Sequence, residues 1–345
     1  MFRIRAAVEE DNNALLALEA ASPQGTGIAV NIDRDTYFYR SRLFDEGRVL
    51  IGEEDGRLIG VMAYALKDVY IAGELTRAAY FYDLRGEADY RRSMKRGLFR
   101  MWKALQEEVR AAGAKFLYGH VKADNVDSMR VSIKSGAQAA AGSSILTLPT
   151  LAGGGRSEPP ACLEPEAGAR RVEEAVGERD MRPARLTDIY SRGAEMGYLK
   201  GVYRLHEGRS SAQITVWDTS SIYRGLVYRM PLWLHVLGGV LNPLARRFPL
   251  PRIPTVGQRI AYWQLFDALS DGPKGEALLK RLIQWVRHEG HDQGIDITML
   301  FHYNDDPAVS IPRFVPSKRL GYRTMVKPYG EAFPSTPLYL DIRDV

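Results

Sequence analysis

Residues 79–99 read AYFYDLRGEADYRRSMKRGLF, and this stretch decides the fold. It begins inside a strand predicted over Arg77–Leu84, passes through a polar, strongly basic loop, and enters a helix predicted over Gly97–Ala112. Met101, Leu105 and Val109 fall on one face of that helix, and Gly113 is a typical helix stop. The order strand, polar loop, amphipathic helix predicts a mixed α/β unit.

The same order of elements recurs later in the chain. Four landmarks repeat in register with offsets between 181 and 185 residues: Ala79-Tyr80-Phe81 as Ala261-Tyr262-Trp263, Trp102 as Trp285, Gly113 as Gly294, and Gly136-Ala137 as Gly321-Tyr322. Four matches in order favour a duplicated unit over coincidence. The sequence therefore predicts two related domains, residues 1–150 and 171–345, joined by a Gly- and Pro-rich linker at residues 151–170.

Composition excludes several classes of protein. The 345 residues are 45% hydrophobic and 26% charged, as in a globular protein, and the net charge of +5 is too small and too dispersed for a nucleic-acid-binding domain. A single cysteine, Cys162, excludes an internal disulfide framework and leaves too few thiolates for a zinc site, so no metal is expected. No signal peptide is apparent, and we expect a cytoplasmic protein.

The longest apolar run, Met230–Leu241, is too short and too interrupted to span a membrane. Its apolar side chains would form one helical stripe, which suits a domain contact, a subunit contact in a homodimer, or a lid. Binding to a membrane surface is the less favoured interpretation, and no membrane partner is expected.

The basic loop has a second property, because it precedes a helix. A helix N-terminus offers unpaired backbone N–H groups, and with nearby arginines it can hold a phosphorylated small molecule; the alternative is a solvated basic helix face. The segment resembles the acyl-CoA-binding signature of the GNAT acyltransferase superfamily, which has Arg or Gln, two residues, Gly, one residue, then Gly or Ala. The best register places Arg92, Lys95 and Gly97 on these positions, with lysine replacing the first glycine. The second copy keeps Gly275-Glu276-Ala277 without the leading arginine.

A later segment is similar to the same family's Asn-x-x-Ala-x-x-Leu-Tyr-x-x-x-Gly-Phe stretch. Asn125, Val131 and Gly136 fit, whereas Ser132 stands in place of the tyrosine and Ala137 in place of the phenylalanine. The resemblance covers residues 3–148 well and 255–345 more loosely.

The resemblance implies an α/β fold of two tandem GNAT-like domains, each a mostly antiparallel, mixed central sheet flanked by helices. It also implies transfer of an acetyl or other acyl group from acetyl-CoA to the amine of a small molecule or peptide. The cofactor-binding residues that it implies are Leu84, Arg85, Arg91, Arg92, Lys95, Arg96, Gly97, Leu98, Phe99 and Asn125.

Four residues are candidates for the chemistry. Asp83 at the end of the strand is a candidate base, with Tyr82 beside it as a candidate acid. Ser132 occupies the position of the family's proton-donating tyrosine, although a hydroxyl of its type is a poor acid. His120 is either a proton relay near the thioester or simply a strand-face histidine bonded to a neighbour.

Two other functions remain open. The missing tyrosine in both copies is compatible with a non-catalytic sensor or scaffold that binds CoA or another metabolite. Transfer of an amino acid from charged tRNA would need a contiguous basic groove, against which the modest net charge argues. The N-terminal copy is the expected cofactor site, with the opposite assignment also possible.

Overall fold

The computed structural model describes the chain except residues 22, 24–27, 88–90, 153–157, 221–222, 245–251, 304–316, 331, 334–336 and 345, and describes only the backbone of residues 91–96. The helices are α1 Asn12–Ala20, α2 Tyr39–Arg42, α3 Arg91–Ala111, α4 Val126–Lys134, α5 Pro165–Ala175, α6 Leu186–Glu195, α7 Leu232–Leu244 and α8 Gly275–Asp292. The strands of the first half are β1 Phe2–Ala6, β2 Ala29–Asp33, β3 Glu46–Glu54, β4 Arg57–Ile71, β5 Glu74–Gly86, β6 Phe116–Lys122 and β7 Gln138–Pro149. Those of the second half are β8 Ala161–Leu163, β9 Arg182–Pro183, β10 Leu199–Glu207, β11 Ser210–Asp218, β12 Arg224–Arg229, β13 Arg259–Ile260, β14 Tyr262–Asp271, β15 Ile297–Tyr303 and β16 Lys318–Pro328.

One mixed sheet runs through both halves of the chain. Its strand order is β1-β3-β4-β5-β6-β16-β7-β15-β14-β11-β10-β8, and a short β9 pairs with β4. The pairs β5–β6 and β14–β15 are parallel, and the other pairs are antiparallel. A separate three-stranded sheet has the order β13-β12-β2. The mixed α/β class expected from the sequence is confirmed.

The two halves share an order of elements: two antiparallel strands, a third strand, a long helix, and a strand parallel to the third. In the first half these are β3, β4, β5, α3 and β6, and in the second half β10, β11, β14, α8 and β15. A counterpart of α4 would fall within residues 304–316, outside the described residues.

The halves are joined through β16, which lies between β6 and β7. Tyr322–Pro328 pairs with Phe116–Lys122 on one side, and Lys318–Val326 pairs with Gln138–Thr147 of β7 on the other. The segment interpreted as a linker also has regular structure, since β8 and the start of α5 lie within residues 151–170. The sequence shows the Gly and Pro content of this segment but not the strand that pairs with β10.

The long helices bury the faces that their sequence periodicity indicates. Met101, Leu105 and Val109 of α3 are buried against β3 and β4, and Leu278, Leu282 and Val286 of α8 are buried against β11 and β14. The opposite face of the first half is covered by α1, α2 and aromatic side chains, and that of the second half by α5 and α6.

Each half has the same backbone irregularity in its third strand. Asp83 in β5 and Asp267 in β14 both have a φ angle of 51°, in the left-handed region. The pairing of β4 with β5 shifts between Val61 and Ala63, and that of β11 with β14 between Gln213 and Thr215, as in a β-bulge. The bulge redirects the strand immediately before the long helix.

Candidate active site

The parallel strands of each half pair over a short stretch and then separate. In the first half, Ala78–Tyr80 pairs with Phe116–Tyr118, and the unpaired ends of β5 and β6 continue beyond. The opening between them begins at Phe81 and Gly119. The ring of Phe81 packs edge-on against Trp102 at 5.1 Å between centroids, and Gly119 contributes no side chain.

The corresponding opening in the second half is filled. Beyond the last paired residues, Leu265 and Leu300, come Phe266 and Phe301. Their rings stack with centroids 3.9 Å apart, and both side chains are buried. The two halves therefore differ at the point where the central strands diverge: the first has a glycine there and the second has a stacked aromatic pair.

Asp83 lies in a buried network of charges. Arg34 bonds the carboxylate of Glu19 at 2.7 Å and approaches Asp83 at 3.4 Å, and Arg40 approaches Asp83 at 3.9 Å. Burial raises the pKa of Asp83, but the charges of Arg34, Arg40 and Arg85 outweigh it and bring the pKa below its ordinary value. A carboxylate held ionised in this way is a weak base. Asp83 is thus a counter-ion for two arginines, and its role as a candidate base stays a prediction.

The neighbouring Tyr82 is an apolar-packed phenol. Its ring stacks on Tyr80 at 5.3 Å, and among the described residues its hydroxyl has no hydrogen-bond partner. Burial, followed by the negative charge of Asp83, raises the pKa of Tyr82. The phenol is therefore neutral and can donate a proton only to a stronger base.

His120 belongs to a polar cluster at the core of the first half. Its Nδ1 lies 3.1 Å from the hydroxyl of Thr324, and its Nε2 lies 3.9 Å from Asp344. Asp344 in turn accepts hydrogen bonds from Tyr118 at 2.7 Å and, through its backbone carbonyl, from Tyr80. The histidine is thus bonded to a neighbour, and the same contacts orient it toward a carboxylate.

Sequence reasoning missed the carboxylates of this cluster. Lys67 of β4 is buried and contacts Asp341 at 2.6 Å and Asp344 at 2.8 Å. Its position directly after the apolar run 58–66 of β4 is a signal that a buried partner exists, since a charge is rarely buried unpaired. The partners lie more than 270 residues away, and no local pattern identifies them.

The predicted cofactor residues lie in different environments. Leu84 and Phe99 are exposed, Leu98 is half-buried, and Arg85 bonds Glu19 at 2.9 Å. The side chains of Arg91, Arg92, Lys95 and Arg96 lie outside the described part of the chain, although their backbone forms the first turns of α3.

Gly97 has a packing role. It is buried, and a Cβ added to it would lie 2.8 Å from the ring of Phe2 and 3.4 Å from Ile59. The close approach that Gly97 permits is therefore between α3 and the sheet, which differs from the contact with a diphosphate expected from the sequence.

The side chains of Asn125 and Ser132 both form hydrogen bonds with the backbone of α4. The side chain of Asn125 caps the helix by accepting a hydrogen bond from the N–H of Ser128 at 3.1 Å. The hydroxyl of Ser132 donates to the carbonyl of Ser128 at 2.9 Å. Neither contact reaches the cluster around His120.

A cavity of about 570 Å³ lies between the two halves, beside this cluster. Three basic residues of the buried charge clusters also line its wall: Arg40, Lys67 and Arg343. Its aromatic surface comes from Tyr39, Tyr198, Trp217 and Tyr223. Its acidic residues are Asp45, Glu46, Asp68 and Asp188.

Within the described residues no group of three or more histidine, cysteine or acidic side chains could hold a metal ion. No helix in that part of the chain is long and apolar enough to cross a membrane.

Central strands that separate and a long helix between them characterise the fold of the first half. Residues 3–123 match the family model described as "Acetyltransferase (GNAT) domain". The match agrees with the resemblance to the GNAT superfamily that the sequence of this part of the chain shows.

Solved structures extend the similarity of fold to the rest of the chain. N-myristoyltransferase from Saccharomyces cerevisiae with bound myristoyl-CoA is 8% identical and has a TM-score of 0.56, over 94% of this chain and 82% of that chain. A second structure of that protein with myristoyl-CoA is 9% identical with a TM-score of 0.53, over 98% and 82%. Eis1 from Mycobacterium abscessus is 13% identical over 95% and 73%, with a TM-score of 0.45. No curated protein sequence matches the chain.

Proposed function

We propose that this protein transfers an acyl group, acetyl in the first instance, from acyl-CoA to the amine of a small molecule or peptide. The observation that carries the proposal is the opening between β5 and β6 at Gly119, inside the GNAT domain of residues 3–123. Beyond Tyr80 and Tyr118 the two strands no longer pair, and we place the pantetheine arm and thioester along these unpaired strand edges. The stacked Phe266 and Phe301 occupy the corresponding space of the second half, which favours the first half as the donor site.

The reaction needs a proton acceptor for the amine and a proton for the leaving thiolate. The amine nitrogen attacks the thioester carbon, the carbon–sulfur bond breaks, and the amine loses one proton while CoA gains one. We assign the first proton to His120, because its Nε2 lies 3.9 Å from the carboxylate of Asp344, which would stabilise the imidazolium. Solvent supplies the proton to the thiolate, which is a good leaving group and leaves without the help of a strong acid.

The cavity between the halves suits the acceptor. Both signs of charge are present in its wall, together with three tyrosines and a tryptophan. Such a wall favours an acceptor that carries an amine and an anionic group, such as an amino acid or a peptide terminus.

Thiol release measured with acetyl-CoA and with myristoyl-CoA, against a panel of amines, amino acids and peptides, tests the proposal. His120→Gln should lower kcat by about 10²-fold or more and leave the Kd for CoA unchanged in calorimetry. If CoA binds but no acceptor causes thiol release, the result would contradict the proposed enzyme and favour the non-catalytic sensor.

A pair of matched variants tests which half binds the donor. Gly119→Val places a branched side chain against the carbonyl of Phe81, which would lie 2.9 Å from the added Cβ, and by displacing the strand edge there it should abolish CoA binding. Phe301→Leu alters the second opening and should leave CoA binding intact. The reverse result would move the donor site to the second half.

A further inference from the structure

Helix α7 presents an apolar surface to solvent. The exposed fractions are 77% for Leu232, 66% for Trp233, and 60% for both Val236 and Val240. Leu237 and Leu244 are exposed as well. With 3.6 residues per turn, all six side chains fall within an arc of about 140°. We call these six residues the α7 face.

The opposite side of α7 contacts the segment that follows the helix. Gly238 is buried against Ile253, and the side chain of Asn242 exchanges two hydrogen bonds with the backbone of Ile253, each 2.9 Å long. This side of the helix is thus covered, and the apolar side faces outward. An exposed apolar surface of this kind is typical of an interaction site.

The chain around α7 is basic throughout. No Asp or Glu occurs between Asp218 and Asp267, whereas six arginines do: Arg224, Arg229, Arg246, Arg247, Arg252 and Arg259. The sequence that flanks the α7 face is therefore positively charged, and among its described arginines Arg229 is exposed, Arg252 is exposed and interacts with Asp296, and Arg259 pairs with Asp33.

We propose that the α7 face docks this protein on the surface of an anionic lipid bilayer. Tryptophan, leucine and valine insert at the boundary between headgroups and acyl chains, and the flanking arginines bind anionic headgroups. A second copy of this chain fits less well, since a two-fold contact through α7 would bring two acid-free basic segments together. The helix lies in the interface plane and does not cross the bilayer.

Docking would leave the cavity accessible while holding it near the lipid. Tyr223, which lines the cavity, immediately precedes β12, and β12 leads into α7. None of the six residues of the α7 face lines the cavity. Loss of docking and loss of acyl transfer are therefore separable by mutation.

Co-sedimentation of the full-length protein with lipid vesicles tests the proposal. We expect binding to vesicles of equal parts phosphatidylglycerol and phosphatidylcholine, weak binding to phosphatidylcholine alone, and a decrease with added salt. The variant Trp233→Gln/Val236→Gln should bind at least about tenfold more weakly. Arg229→Gln/Arg252→Gln should lose about tenfold on anionic vesicles only.

Two controls make the result specific to α7. Leu75 and Val8 are exposed apolar residues elsewhere, and Leu75→Gln/Val8→Gln should bind as the unmodified protein does. Trp233→Phe should retain binding but lose the blue shift of tryptophan emission that vesicles cause. Equal binding to neutral vesicles, or an equal loss in the Leu75 and Val8 variant, would overturn the proposal. So would a dimer in sedimentation velocity that Trp233→Gln/Val236→Gln dissociates while vesicle binding is absent.

Discussion

Asp83 and Asp267 occupy the same bulge in the two halves, with opposite surroundings. Asp83 faces arginines, which lower its pKa. Asp267 accepts hydrogen bonds from Tyr190 at 2.5 Å and Tyr339 at 3.1 Å, and burial raises its pKa to about 6 in spite of these bonds. The same backbone geometry thus supports an ionised carboxylate in one half and a carboxyl group close to neutralisation in the other.

Asp267→Asn should stabilise the protein at neutral pH. Because the folded-state pKa lies above the ordinary 3.8, ionisation of Asp267 disfavours the folded state as the pH rises through about 6. Asparagine accepts the tyrosine hydrogen bonds without a charge and tolerates the left-handed φ angle. We expect a gain of about 1–3 kcal/mol in the free energy of unfolding at pH 7, vanishing below pH 4. Urea unfolding at several pH values measures it, and a gain independent of pH would contradict the explanation.

Asp83→Asn should lower the free energy of unfolding, in contrast to Asp267→Asn. The substitution leaves Arg34 and Arg40 without their shared counter-ion in a buried site, and we expect a loss of about 3–5 kcal/mol at pH 7. Since the folded-state pKa of Asp83 is lowered, its contribution is present above the ordinary value of 3.8 and disappears as the pH falls through the folded-state pKa. The difference between variant and unmodified protein in urea unfolding should therefore shrink in acid.

Asp45→Asn is the matched control for this prediction. Asp45 also pairs with an arginine, Arg192, at 2.7 Å, but its side chain is 87% exposed. Exposed pairs contribute less than about 1 kcal/mol, so the control should be nearly neutral. Similar losses in the two variants would show that the burial of Asp83 is not the cause.

At the scale of elements, the periodicity of apolar residues predicted which face of a long helix is buried and where the helix ends. The buried face of α3 and the stop at Gly113 are where Met101, Leu105 and Val109 indicated. The function of Gly97 was not predictable, because a glycine that fits a signature for ligand binding also permits close packing. Its neighbour Phe2 comes from β1, almost 100 residues earlier, and no spacing rule connects the two.

The contact between Gly97 and Phe2 gives a prediction about helix packing. Gly97→Val would place a branched side chain against the Phe2 ring and move α3 away from β1, at a cost of about 1–3 kcal/mol in the free energy of unfolding. Phe2→Ala removes that ring, so the double variant Phe2→Ala/Gly97→Val should be more stable than the sum of the single effects predicts. A double-mutant cycle by chemical unfolding measures the coupling, and strict additivity would exclude the contact as the cause.

At the scale of the molecule, the internal repeat predicted two similar halves but not how they are joined. Repeated landmarks report resemblance between segments and carry no information on pairing partners. The structure places β16 of the second half between β6 and β7 of the first, and β7 pairs in turn with β15. The cluster of His120, Thr324 and Asp344 depends on this exchange, because two of its three residues follow β15 in the chain.

This exchange predicts that the first half does not fold alone. A fragment of residues 1–150 retains β6 and β7 but lacks β16, which supplies both with backbone hydrogen bonds, and it also lacks Asp341 and Asp344, the partners of buried Lys67. The fragment leaves one edge of β6 and both edges of β7 open, and these three open edges and an unpaired buried charge oppose folding. We expect the fragment to be aggregated or to lack a cooperative transition in circular dichroism. Co-expression with residues 151–345 should restore a soluble complex.

The intact chain should unfold in a single transition whose calorimetric and van't Hoff enthalpies agree. A soluble 1–150 fragment with its own sharp transition would show that the sheet is divided into independent domains despite β16.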